Sequence, residues 1–195
     1  YRARIRARLG IDTRINEQMK FGLGIATGKT TDPRSTNFTL STDSTSNTPG
    51  AFKEFVLDYA FAQYQVRSWL KIMAGKFKNP LWQSSDLLWD GDLNPEGIGM
   101  EFYKRLGQAL ELQLNSLLFL FSESRSDRAD PFMFALQPGF RYSRADCISN
   151  CLVIKAATTI YKFNKIAGHE KFSKRATNSL NGTKYIHNYN SMQPA

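Results

Sequence analysis

Apolar and polar positions alternate with a period of two through most of this 195-residue chain. The opening stretch RARIRARLGI, residues 2–11, sets Arg2, Arg4, Arg6 and Arg8 against Ala3, Ile5, Ala7 and Leu9. On a helix those cations would spread over more than one face. On a strand successive side chains point to opposite sides, so the arginines share one face and the oily residues share the other. The same rhythm recurs over residues 19–26, 55–63, 69–77, 97–106, 110–121, 132–142 and 152–163. In the third segment it places Phe55, Leu57, Tyr59 and Phe61 on one face and Val56, Asp58, Ala60 and Ala62 on the other. Eight strands of roughly ten residues are therefore predicted. The stretch DYAFAQYQVRSWLKIM also tolerates a helix, as the weaker reading.

The connections alternate in length. DTRINE, QVRS and GQ are tight links, and SRADCISN is short to medium. Long polar loops are expected at about 27–53, 77–96, 122–131 and 164–195, rich in Ser, Thr, Asn, Asp, Gly and Pro. After Phe163 the pattern predicts no further strand.

Composition narrows the class. The chain is 42% hydrophobic and 13% aromatic, which is not a disordered composition. No apolar run reaches the roughly 18 residues of a membrane-crossing helix. A strand-built membrane protein has no such run, because its lipid-facing and water-facing residues alternate. A soluble sandwich alternates as well. Against it stand the apolar face repeated in all eight segments, the Gly and charge at mid-strand on the other face, and loop lengths polarised toward one end. Aromatic residues near segment ends (Phe55, Trp69, Phe77, Phe102, Tyr103, Phe132, Tyr142 and Phe163) fit interfacial girdles. The expected architecture is all-β: an antiparallel up-and-down transmembrane β-barrel over a single domain, 1–195. The chain starts mid-strand and ends without a closing strand signal, so it is expected to be part of a barrel larger than eight strands.

The loop AGKFKNPLWQSSDLLWDGDLNPEG, residues 74–97, is more specific than the strands. There the chain resembles the bacterial putative-porin family of outer-membrane β-barrels, in which a strand ending like AGKFKNP runs into a WDGDLNPEG-like loop. RARLGIDTRINEQMKFGLGIATG and TDPRSTNFTL extend the resemblance over about residues 2–107, with a looser match from 108 onward through ATTIYKFNKIAG. The resemblance implies a channel-like barrel in the bacterial outer membrane, a signal peptide and further strands. It implies no particular solute, and the chain lacks the terminal aromatic residue that usually ends such barrels.

The net charge is +9. If the polar face lines water, Arg2, Arg4, Arg6 and Arg8, extended by Lys20 and Lys71, form a row of fixed positive charge that favours anions. Asp58, Glu101, Glu111, Arg141 and Lys155 complete the expected pore lining. The alternative is that the arginines merely pair with the inward carboxylates. Asp86, Asp90, Asp92, Asn94 and Glu96 concentrate acid in the second long loop. They read as a constriction loop facing the arginines, as a Ca²⁺ site of hard oxygen ligands, or as a solvated turn-rich loop. Trp82 and Trp89 either anchor that loop or stack on sugars.

Enzyme chemistry finds little support. His169 and His187 lie in the polar tail, outside any triad or metal-ligand spacing. Cys147 and Cys151 read as free thiols or a local disulfide, and no cofactor is expected. The function expected is a passive channel for small hydrophilic solutes, with outer-membrane lipid around it and a homo-oligomer left open. The alternative is a soluble β-sheet protein that binds anionic ligands or nucleic acid. Nucleic acid is disfavoured, because the cations are dispersed through strands rather than clustered.

Overall fold

A computed structural model of the protein describes residues 3–30, 35–40, 53–84, 89–123, 130–144, 152–170, 172 and 179–194. Arg2, Asp86, Cys147 and Cys151 lie outside them. The strands are β1 (Arg4–Ile5), β2 (Arg8–Arg14), β3 (Met19–Thr27), β4 (Phe38–Thr39), β5 (Phe55–Arg67), β6 (Leu70–Lys76) and β7 (Glu96–Leu106). They continue as β8 (Leu110–Leu120), β9 (Phe132–Ser143), β10 (Val153–Asn164), β11 (Leu180–Asn181), β12 (Lys184–Tyr185) and β13 (Asn190–Pro194). Nine of them form one sheet in the order β13-β10-β9-β8-β7-β6-β5-β3-β2, antiparallel throughout. The stretch that tolerated a helix is the β5–β6 hairpin.

The sheet is an up-and-down meander. Turns at 15–18, 68–69, 107–109 and 144–152 lie at one end, and the connections 28–54, 77–95, 121–131 and 165–189 at the other. The short-then-long alternation of the sequence is therefore the alternation of the two ends. β13 corrects the sequence reading, which placed no strand after Phe163. Its NSMQP carries no two-residue signal, and it pairs through backbone hydrogen bonds, Ile160 opposite Met192 and Tyr161 opposite Ser191.

The expected antiparallel up-and-down sheet forms but is not closed: β2 and β13 are its opposite edges. A small barrel has an interior just wide enough for its own side chains. Here residues 77–84 and 89–95 lie across one face of the sheet and fill part of the space on that side.

The two faces have opposite character. One carries Leu9, Ile11, Leu23, Ile72, Ile98, Leu112, Leu120, Phe134, Phe140, Ile154 and Ile160, all exposed. The other carries the buried residues Met73, Leu117, Met133, Ala135 and Tyr161, packed with Phe77 and Leu81 of the crossing segment. The core thus lies between the sheet and its own long loop. Three of the expected girdle aromatics are on this inner side. Phe77 is buried in that core, Phe163 stacks on Phe121 at 6.0 Å, and Tyr103 shares the parity of Glu101. Trp69 and Phe102 do sit together on the outer face beside the short turns, with ring centroids 5.4 Å apart.

β5 departs from the sequence reading midway. Gly24 pairs with Tyr59 but the next residue, Ile25, pairs with Leu57, so Asp58 is the extra residue of a β-bulge. The bulge reverses the parity after it. Phe55 and Leu57 face outward as expected, whereas Tyr59 and Phe61 turn inward and Ala60 and Ala62 turn outward. The glycines opposite explain why large rings fit there. Tyr59 lies over Gly24 and Gly10, and a Cβ on either would collide with its ring.

Candidate functional site

The inner face is built from strand residues of one parity and from the 77–95 segment that crosses them. Arg6 and Arg8 leave the start of the chain toward that segment. Arg6 reaches Asp92 at 3.1 Å, and Arg8 contacts Asp92 at 2.5 Å and Asp58 at 3.6 Å. Asp58 is buried, and Asn94 donates to both its carboxylate, at 2.9 Å, and its backbone oxygen, at 2.8 Å. Alternation from the outward Leu57 already turns Asp58 inward, and the bulge adds Tyr59 on the same side directly after it. Five expected site residues, Arg6, Arg8, Asp58, Asp92 and Asn94, thus come together in one cluster at the long-loop end.

The other expected residues occupy separate places. Lys20 binds Asp12 at 2.8 Å, and Lys71 binds Glu101, its directly opposite neighbour, at 2.6 Å. Glu96 pairs with Lys76 at 2.7 Å. Arg4 is exposed and lies opposite Thr39 in the small β1–β4 pair. Asp90 shapes the loop: its carboxylate accepts the Asp92 N–H at 3.0 Å and its carbonyl accepts the Leu93 N–H at 3.0 Å. Glu111, Arg141 and Lys155 stand in one row across the sheet, with Arg105 opposite Glu111 on its other side. The loop carboxylates therefore diverge toward different cations. Among the described residues no group of three or more His, Cys, Asp or Glu could hold a metal ion.

The far half of the crossing segment is held by amides. Gln137 is fully buried; its Oε1 accepts the Trp82 N–H at 2.8 Å and its Nε2 donates to the Trp82 carbonyl at 2.8 Å. The same amide takes Asn115 Nδ2 at 3.2 Å and donates to Thr159 at 2.7 Å. Gln83 donates to the Tyr161 hydroxyl at 3.3 Å and accepts from Gln193 at 2.9 Å. A buried side-chain amide that pairs with both the N–H and the carbonyl of one residue reproduces the pattern of strand pairing and fixes the loop to the sheet at Trp82. Trp89 anchors the near half, donating to Leu93 O at 3.0 Å and packing on Phe119. The Trp82 ring lies under the Lys155 ammonium, 4.2 Å from its centroid.

Gln137, Gln83, Asp12 and Tyr59 escaped the sequence reading as site residues. Gln137 did carry a signal, an amide at mid-strand between the small inward residues Ala135 and Gly139. Tyr59 carried none, because the bulge that turns it inward is a property of the pairing. Between the crossing segment and strands β2 to β7 lies a cavity of about 450 Å³. It is lined by Arg8, Asp12, Lys20, Asp58, Tyr59 and Lys71, among others.

One face of this sheet leaves a row of large aliphatic side chains exposed, and the other holds charge behind a docked loop. No curated protein matches the chain. A family model described as "Putative porin" matches residues 1–194, nearly the whole length. With that match, the chain belongs to the putative-porin family, whose members are channels rather than enzymes.

Proposed function

We propose that the protein is an outer-membrane porin, a passive water-filled channel for small hydrophilic solutes with a preference for anions. The observation that carries this reading is the contrast between the two faces. Leu9, Ile11, Leu23, Ile98 and Ile160 are left bare on one, while Arg6, Arg8, Lys20 and Lys71 on the other each reach a carboxylate and Lys155 lies over a ring. Bare aliphatic side chains on strands of 7–13 residues are what lipid chains cover. Open sheet edges do not survive in lipid, so in the membrane β2 and β13 pair with further strands or with each other.

The 77–95 segment is the constriction. It crosses the water-facing side and carries Asp92 to the arginines, so the narrowest passage has carboxylate on one wall and guanidinium on the other. Such a transverse field orders dipolar solutes as they pass. The protein reconstituted into planar bilayers is expected to give ohmic conductance that rises with salt and a reversal potential of anion-selective sign. Extraction without detergent, together with no conductance, would return the protein to the soluble binding class.

A further inference from the structure

We infer that the anion filter of this channel lies at the short-turn end of the inner face, in the row Arg105, Glu111, Arg141 and Lys155, and not in the arginines that open the chain. The inference rests on the porin reading and locates its selectivity.

The charge balance differs along the face. At the long-loop end Arg6 and Arg8 share Asp92 and Asp58. In the middle Lys20 has Asp12 and Lys71 has Glu101. Each of these cations is matched by a carboxylate within reach, so an entering ion meets dipoles there rather than a net charge. The row beside the 107–109 turn is different. Arg105 is opposite Glu111, Glu111 opposite Arg141, and Arg141 opposite Lys155. Three cations face one carboxylate, and among the described residues none of the four forms an ion pair within 4.0 Å. Arg14, of the same parity on β2 and next to the 15–18 turn, adds a further cation at this end.

The placement of Lys155 supports this. Like charges directly opposite on neighbouring strands destabilise a sheet, yet Arg141 and Lys155 are held that way. The Trp82 ring under the Lys155 ammonium offsets part of the cost, since a ring face attracts a cation. Trp82 is itself fixed by Gln137. The docked loop therefore holds a cation in place without neutralising it, which is what a site for passing anions requires: attraction without a permanent partner.

The test uses the reconstituted protein and two kinds of measurement. R141Q/K155Q is expected to lower the anion-to-cation permeability ratio, read from the reversal potential, at least about twofold. E111Q is expected to raise it, and K71Q/E101Q, which removes a matched pair, to leave it nearly unchanged. Inorganic tripolyphosphate is expected to block single channels from one side only, and R141Q/K155Q to abolish that block. An unchanged ratio in both R141Q/K155Q and E111Q, or equal block from both sides, overturns the assignment of the filter while leaving the channel intact. Absence of conductance in the unaltered protein overturns the porin reading and this inference with it.

Discussion

The two faces of one sheet solve opposite problems. On the outer face Leu23, Ile98 and Ile160 have open surroundings, and the sheet gains nothing from them in water. On the inner face Asp58, Asn115, Gln137 and Thr159 are buried, and the amide network joins their neighbours. In a soluble protein these roles would be exchanged. The comparison teaches that burial and polarity have separated here: the inner face packs amides and a carboxylate beside the apolar residues Met73, Leu117 and Met133, while the outer face leaves its aliphatic side chains uncovered.

The largest expected effect breaks the outer face. Ile160→Arg puts a charge midway along β10, in the row with Leu136 and Met192. It should cost about 2–4 kcal/mol in a bilayer, because a charge on the lipid side near the midplane has no water. Urea unfolding from lipid vesicles and loss of heat-modifiable gel mobility measure it; an unchanged midpoint would show that this face meets water.

Next in size is a backbone change between the faces. Gly75 has φ of 114°, a left-handed region, and a Cβ there would press on the Ala60 carbonyl oxygen. Gly75→Ala is expected to cost about 1–3 kcal/mol in the same unfolding assay. Gln137→Leu has a comparable stability cost, about 1–3 kcal/mol, from the Trp82 peptide group and Asn115 left unpaired. Its diagnostic is the channel: conductance should rise and the 82–83 peptide should become cleavable by protease, while Gly75→Ala changes neither in the folded fraction.

The smallest effect sharpens the inner face. Asp92→Asn frees Arg6 and leaves Arg8 with Asp58 alone; these side chains are 44% and 35% exposed, so stability should change by less than about 1 kcal/mol. The reversal potential should move toward greater anion preference, since the two arginines lose the carboxylate they share. Removing one rim ion pair should therefore alter selectivity far more than folding.

How much of this was legible follows from how far each signal reaches. The parity of β2 and of β6 to β10 was readable because alternation is a local rule: Leu112 and Leu114 against Gln113 and Asn115 needs only the chain itself. The reversal in β5 was not readable. It depends on Ile25 pairing with Leu57 rather than Asp58, and only the partner strand decides that. β13 was hidden for a related reason, since a polar strand is made by an available edge. Among the loop acids, Asp90 serves the turn while Asp92 meets the arginines, and nothing in WDGDLNPEG separates the two.

The sequence by itself determined that the chain is all strand, that each strand has an oily side and a wet side, and that long and short connections alternate. Those follow from side-chain direction, which repeats every two residues whatever the neighbours do. Only the tertiary structure decided that the segment after β6 folds back across the wet side, that its Asp92 meets Arg6 and Arg8, and that Arg105, Glu111, Arg141 and Lys155 stand in one row near the opposite turns. Charge cancellation depends on distance through space, and residues 84 and 86 apart in the chain, as Arg8 and Arg6 are from Asp92, meet only after the sheet has formed.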